Sequence, residues 1–269
     1  MASLFDDLFV VPFFAGLAVA LLLPLVGNLL RLRDEWLATL GLAHLAAATG
    51  LIGMAFGVPP IWGAPLGALA GAGAKYAAGS RSNSAYGLMI LGGWSAGLLV
   101  AANTTLGDVL AHAVIDGQLY FSGWRELVVD LAILVPALPL LRVLTPRLIA
   151  ARLFPEHEVA NRLPAWRWHL GFDLLSALAI AAATATVGLM GAFALIFLPS
   201  WLAFRLAPDW RRANLLAVAI GAGGYTLAFA LALALDQPFA PVLAAVLIGL
   251  FALGARGGRR AAGADFPSV

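Results

Sequence analysis

The sequence predicts an all-α membrane protein, a polytopic helical bundle with eight to nine transmembrane helices. Of its 269 residues, 62% are hydrophobic and only 11% are charged, whereas a soluble domain is about half apolar and a quarter charged. The mean hydropathy is +0.94, and the apolar residues fall into stretches near the roughly 20 residues that a membrane span needs. No polar segment between them is long enough to fold alone, so we expect one transmembrane domain over residues 1–269.

The apolar stretches define nine predicted helices in chain order. They cover residues 8–30, 36–57, 61–79, 85–103, 127–149, 170–188, 190–206, 214–235 and 239–254. The run 170–206 is too long for one crossing, and Gly188 offers a break because glycine weakens a helix interior. The other predicted helix breaks are Pro199, Asp236 and Pro238.

Loop charges support this arrangement. Five basic clusters lie at Arg31 and Arg33, at Lys75 and Arg81, and over residues 142–167, 205–212 and 256–260. The positive-inside rule then places the N-terminus outside and the tail, residues 255–269, in the cytoplasm. The clusters at 142–167 and 205–212 share one side only if 170–206 crosses twice or dips in and returns. This favours a break near Gly188.

Two segments between the spans are predicted to lie at the membrane surface. Residues 105–122 have the pattern of a short amphipathic helix on the outer side. Residues 153–164 predict a short cytoplasmic helix, since Pro155 suits a first helical position and Glu156 suits the first turn. Its apolar face would consist of Phe154, Val159 and Leu163. Spacing alone fits a helix lying on the membrane as well as one that docks on a partner.

The composition excludes several kinds of chemistry. The chain has no cysteine, so disulfides, iron–sulfur clusters and thiolate metal sites are absent. The single lysine, Lys75, lies in Gly-Ala-Lys-Tyr, so the chain has no Gly-x-x-x-x-Gly-Lys-Ser/Thr phosphate loop and another chain would have to hydrolyse nucleotide. Asp6 and Asp7 near the start, without a basic region, predict that the first apolar run is retained as a membrane helix.

Five short motifs occur in a recognisable order. They are Asn83-Ser84-Ala85-Tyr86-Gly87-Leu88-Met89, the pair Asp108 and Asp116, the stretch 155–163, Val187-Gly188 through Pro199-Ser200, and Leu235-Asp236-Gln237-Pro238 with Pro241. Together they resemble the permease subunit of the zinc/manganese ABC importers, over roughly residues 12–254.

The resemblance implies a homodimer in a bacterial-type plasma (inner) membrane that imports a divalent metal. A separate ATPase would bind the cytoplasmic coupling helix through Phe154, Pro155, Glu156, Val159 and Leu163. An extracytoplasmic metal-binding protein would dock on the outer side. We expect no cofactor and no nucleic-acid partner, the metal being the cargo.

One motif departs from the family pattern. The second helix of the family typically carries Gly-Asp-x-Leu-Ala-His-Ala, whose Asp and His face the translocation path. Here the matching run is Thr39-Leu40-Gly41-Leu42-Ala43-His44-Leu45, which keeps His44 but has Leu40 at the aspartate position. His44 is therefore the candidate path ligand, and imidazole favours zinc over manganese. The alternative is a structural histidine that hydrogen-bonds a helix neighbour.

Asp108 and His112 form a second candidate metal pair, because residues four apart share one helical face. They lie in the outer segment rather than in the second span. The pair is either structural, as a helix cap, or receives metal near the outer mouth.

Three other functions stay open at this point. A permease for a metal chelate, of siderophore or cobalamin type, needs no naked-ion ligands and fits Leu40 well. A secondary carrier more often shows internal repeats, and no convincing duplication is seen. An intramembrane enzyme needs clustered catalytic groups at one depth, and the sequence offers neither a Gly-x-Ser-x-Gly motif nor matched carboxylates.

Overall fold

The computed structural model describes residues 7–77, 83–104 and 119–258, and this part of the chain is helical apart from its connecting turns. The helices are α1 (Asp7–Leu32), α2 (Ala38–Ala55), α3 (Pro60–Ala77), α4 (Asn83–Ala102), α5 (Trp124–Leu153), α6 (Pro155–Ala160), α7 (Trp166–Leu206), α8 (Trp210–Leu235) and α9 (Phe239–Gly258). A 3₁₀ turn, Leu119–Phe121, precedes α5. The all-α prediction is confirmed. Six helices (α1, α2, α4, α5, α7 and α8) are long and apolar enough to cross a membrane, and the count of eight to nine spans stays a prediction.

Helix α7 folds back on itself at Gly188, whose φ of 81° and ψ of 167° are not helical. In its first arm, residues 166–187, Asp173 lies 2.9 Å from Arg33. In its second arm, residues 189–206, Phe204 lies 5.0 Å below the guanidinium of Arg31. An unbroken helix would separate Asp173 from Phe204 by about 45 Å, yet both touch the same end of α1. The predicted break at Gly188 is therefore present.

Pro199 does not break the helix, contrary to the prediction. Helix α7 continues through it to Leu206. The neighbouring Ser200 donates a hydrogen bond of 3.1 Å to the carbonyl of Pro24 in α1, so the second arm is held against α1 at this level. A packed bundle tolerates proline inside a helix because adjacent helices support the backbone.

The predicted break at Asp236 and Pro238 lies between α8 and α9. Asp236 caps the C-terminus of α8 in the left-handed conformation, with φ 52° and ψ 50°, which aspartate adopts more readily than most residues. Pro238 directly precedes α9, where its fixed φ is compatible with a helix start.

Small residues bring α3 and α4 onto the backbone of α2. A Cβ on Gly67 of α3 would overlap the carbonyl of Leu45, and one on Gly93 of α4 would lie 2.5 Å from the carbonyl carbon of His44. Such contacts allow membrane helices to approach closely. The middle of α2 is thus clamped between α3 and α4, which fixes the position of His44.

Candidate functional site

His44 lies in the middle of α2, half-buried, and its ring is held by its own helix. Its Nδ1 lies 2.7 Å from the carbonyl oxygen of Leu40. A carbonyl oxygen can only accept, so Nδ1 carries a proton, and in the neutral ring Nε2 is the nitrogen with the lone pair. This is the tautomer in which imidazole binds a metal, with the other ring nitrogen oriented by an acceptor.

His44 borders a small apolar cavity between α2, α4 and the start of the second arm of α7. Its volume is about 40 Å³, and the imidazole lies 5.8 Å, centroid to centroid, from the indole of Trp94. The other lining residues are Ala47, Ala48, Leu51, Gly93, Gly97, Leu98 and Leu189. Its position beside the Gly188 turn means that a movement of α7 would change the space in front of His44.

None of the described residues that line the cavity beside His44 is a carboxylate. The side chain of Leu40 packs against the hydrophobic core instead. Across residues 7–77, 83–104 and 119–258, no group of three or more His, Asp or Glu side chains is close enough to hold a metal. Asp108 and His112 lie outside the described residues, so the pairing predicted for them stays a prediction.

A second polar site lies where α1, α3, α4 and the first arm of α7 meet. Lys75 Nζ lies 2.7 Å from Glu35 and 3.1 Å from Asp173, and Arg33 lies 2.9 Å from each of the same two carboxylates. None of the four side chains is more than 10% exposed. The hydroxyl of Tyr86 donates to Glu35 at 3.0 Å. We call Arg33, Glu35, Lys75 and Asp173 the charge cluster.

The charge cluster balances two positive against two negative side chains. Burial alone would raise the pKa of Glu35, but Arg33 and Lys75 outweigh it and hold that pKa below its ordinary value. Burial likewise lowers the pKa of Arg33, and Asp173 and Glu35 reverse this, so the pKa of Arg33 lies above its ordinary value. Glu35 and Arg33 therefore carry their charges, and a buried charge needs such a partner.

The charge cluster corrects one part of the sequence analysis. The loop-charge pattern groups Lys75 with Arg81, whereas Lys75 lies inside α3, is 4% exposed and is ion-paired to Glu35 and Asp173. The signal that could have identified it is the only lysine of the chain inside an apolar helix, since ionisable residues at such positions usually have a specific partner.

A short helix is present in the segment predicted over 153–164, as α6, and it is shorter than predicted. Phe154, directly before it, is 65% exposed and Leu163 after it is 40% exposed; Pro155 and Glu156 are exposed as well. The side chain of Val159 is outside the described part. An apolar and acidic surface is therefore open at this end of the molecule.

Glu158 points the other way and ties α6 to α7. It accepts a hydrogen bond of 2.8 Å from Trp168 Nε1, and its second oxygen lies 3.3 Å from Nε2 of the buried His169. A cavity of about 370 Å³ separates α6 from the end of α5. Helix α6 is therefore attached to α7 by polar contacts rather than by dense packing.

Asp130 is a buried acid of α5. It is 3% exposed and accepts a hydrogen bond of 3.0 Å from Thr186. Thr186 stands two residues before Gly188, so this bond joins α5 to the fold-back of α7.

Comparisons with known proteins agree with this architecture. The sequence profile of the ABC 3 transport family matches residues 6–256. The fold is similar to PsaBC from Streptococcus pneumoniae in complex with Fab, with a TM-score of 0.80 and 15% identity over 93% of this chain and 91% of that chain. It is also similar to an inward-facing conformation of a proposed metal-chelate type ABC transporter, with a TM-score of 0.71 and 17% identity over 91% and 85%. No match was found among curated proteins.

Proposed function

This chain belongs to the ABC 3 transport family, and we propose that it is the membrane-spanning permease subunit of an ABC importer for a divalent metal, zinc first and manganese second. Two copies form the transporter, a separate ATPase supplies the energy, and an extracytoplasmic metal-binding protein delivers the ion. The path opens alternately to the two sides of the membrane. The chain itself carries no hydrolytic role.

The observation that carries this proposal is the orientation of His44. Its Nδ1 is occupied by the Leu40 carbonyl, so Nε2 is the ring nitrogen that remains for a metal, and the residue lines a cavity at mid-helix. Imidazole nitrogen is a ligand that suits zinc, whereas manganese prefers carboxylates. In a dimer, each subunit contributes one such nitrogen to the path.

The contacts of α6 suggest how nucleotide-driven movement reaches the path. A displacement of α6 is passed through Glu158 to Trp168 in the first turn of α7. The same arm of α7 carries Asp173, which is bound to Arg33 and Lys75. A rigid movement of this arm therefore acts on α1 and α3 together, and its other end is the Gly188 turn beside His44.

Replacing His44 by alanine is expected to lower zinc accumulation at least about tenfold at limiting metal, because a path ligand is lost. The measurement is elemental mass spectrometry of chelator-starved cells that express this chain with its ATPase and binding protein. A strain lacking this chain sets the baseline. His44→Asn, whose amide nitrogen takes the position of Nδ1 and retains a donor for the Leu40 carbonyl but has no imidazole, is expected to be equally impaired.

The matched control is Thr226→Ala on the exposed face of α8, where the hydroxyl bonds only to its own helix. It should accumulate zinc like the wild type. Normal uptake by both His44 variants would make His44 structural while retaining the importer.

A metal-chelate permease is the second candidate. It is favoured by the absence of a carboxylate near His44 and by the absence of any three-ligand group in the part of the chain that the structure describes. The same strains separate the two functions. If deletion of this chain leaves zinc and manganese salts unaffected but abolishes uptake of a metal offered as its siderophore-type chelate, the chelate permease replaces the ion importer.

The coupling role of α6 predicts two different defects. Phe154→Asp is expected to weaken copurification of the ATPase, because it places a charge on an exposed apolar docking residue. Glu158→Ala should retain the ATPase but transport roughly tenfold less metal per ATP hydrolysed, because the link to Trp168 is lost. Phe121→Asp is the matched control, since Phe121 is 89% exposed in the turn that precedes α5. Equal copurification for both phenylalanine variants would contradict docking at α6.

A further inference from the structure

A cavity of about 330 Å³ lies between the end of α1 and the second arm of α7. The cavity lies at the end of the bundle where α1 ends, next to Arg31 in its last turn. The cavity is lined by Gly27, Leu30, Arg31, Asp34, Trp36, Ile196, Phe197, Ser200 and Trp201. Its walls are aliphatic and aromatic, with one guanidinium and one carboxylate among them. It is separate from the cavity beside His44.

Arg31 forms no ion pair with any carboxylate among residues 7–77, 83–104 and 119–258. Its guanidinium lies 5.0 Å from the ring of Phe204 and 6.0 Å from that of Trp201, and its Nη1 is buried with no hydrogen-bond partner. Arg33, two residues later, is bound to two carboxylates. A partly buried guanidinium left in this state attracts an oxyanion, which it can bind through two parallel N–H groups.

Asp34 lines the same cavity and carries the opposite charge. It is exposed and holds the left-handed conformation, with φ 59°, and its backbone N–H is bonded to the carbonyl of Arg31 at 3.0 Å. The side chains of Arg31 and Asp34 nevertheless form no ion pair with each other. The cavity therefore presents one positive and one negative group, and neither is ion-paired to another described residue.

We propose that this cavity binds the headgroup of a phospholipid of the phosphatidylethanolamine type. The phosphate binds Arg31, the ammonium binds Asp34, and an acyl chain lies along Phe197 and Ile196. A headgroup with a phosphate alone would leave Asp34 without a partner and near a like charge, and a choline headgroup has no N–H to donate to Asp34. Trp36 and Trp201, 44% and 38% exposed, suit the headgroup level of a bilayer.

Lipid binding at this cavity does not depend on which substrate the protein transports. It can be tested on the purified full-length chain by native mass spectrometry, with defined additions of phosphatidylethanolamine, phosphatidylglycerol or phosphatidylcholine. The wild type is expected to retain phosphatidylethanolamine best. Arg31→Gln should weaken that binding about tenfold, the effect of losing a charge-assisted contact. Arg211→Gln, which removes an exposed arginine in the first turn of α8, is the matched control and should bind like the wild type.

Asp34→Asn provides a second, independent arm. Asparagine also adopts the left-handed conformation, so the turn is preserved while the charge is lost. This variant should lose its preference for phosphatidylethanolamine over phosphatidylglycerol. The proposal is overturned if Arg31→Gln and Arg211→Gln bind alike, if the wild type prefers phosphatidylglycerol, or if Asp34→Asn keeps the wild-type preference. Displacement of the lipid by soluble phosphoethanolamine at equal concentration would show that the cavity takes a water-soluble phosphate compound instead.

Discussion

Replacing Lys75 by methionine is expected to lower the free energy of unfolding by about 3–5 kcal/mol, because removal of one partner leaves a buried charge uncompensated. Lys75 binds Glu35 at 2.7 Å and Asp173 at 3.1 Å with almost no exposure to solvent. Methionine retains the volume of the side chain but leaves two carboxylates facing Arg33 alone. The charge cluster would then carry a net charge of minus one inside the bundle.

Thermal unfolding of the purified protein in detergent, followed by tryptophan fluorescence, measures this effect. A fall in Tm on the order of 10 °C is expected. Arg142→Met removes an exposed cation from α5 and should change Tm little, since surface substitutions seldom matter.

A double variant makes the test specific to charge balance. Lys75→Met combined with Glu35→Gln restores neutrality and leaves the Arg33–Asp173 pair of 2.9 Å intact. It should therefore be more stable than Lys75→Met alone. If the losses of unfolding free energy measured for Lys75→Met and for Glu35→Gln alone simply add in the double variant, Lys75 contributes through packing and not through the charge cluster. Because Arg33 and Lys75 hold the pKa of Glu35 low, this stabilisation is complete above the unfolded carboxyl pKa of about 4.3 and is lost as pH falls below it.

Replacing Gly188 by alanine is expected to destabilise the protein by about 1–3 kcal/mol and to impair transport, because its backbone conformation is accessible almost only to glycine. At φ 81° and ψ 167° a Cβ would strain the turn that reverses α7. A distorted turn would also weaken the packing of the second arm of α7 on α1. That arm must return along α1 to place Ser200 against the carbonyl of Pro24.

Spin-label distances between the two ends of α7 report the fold-back directly. The chain has no cysteine, so Trp166→Cys and Leu206→Cys, both at exposed positions, can be labelled without background. A straight helix would separate them by about 60 Å, and the fold-back predicts a much shorter distance. Gly188→Ala should broaden or lengthen the distribution.

Gly223→Ala is the control for the glycine experiment. Gly223 lies inside α8, and a Cβ there would meet no atom within 4 Å. Alanine is a better helix former by about 1 kcal/mol, so this variant should be as stable as the wild type or more so. A Gly188→Ala protein with unchanged stability and label distance would show that the turn does not depend on glycine.

Much of the fold was predictable from local sequence. The helices of residues 38–55, 60–77 and 210–235 lie within a few residues of their predicted bounds, because apolar length and charged ends define a membrane span. The break in 170–206 was predicted from a length that no single crossing can accommodate and from Gly188. Pro199 was mistaken for a break, since sequence alone does not show that α1 supports the helix there.

The sequence by itself determined the class of protein, the order of the helices, the break near Gly188 and the presence of Leu40 where the family typically has an aspartate. Each of these depends on residues close together in the chain. Only the tertiary structure decided how the charges are paired, because Lys75 and Asp173 are 98 positions apart and Asp130 and Thr186 are 56 apart. A buried charge is stable only beside its partner, and helical periodicity does not specify which distant residue that partner is.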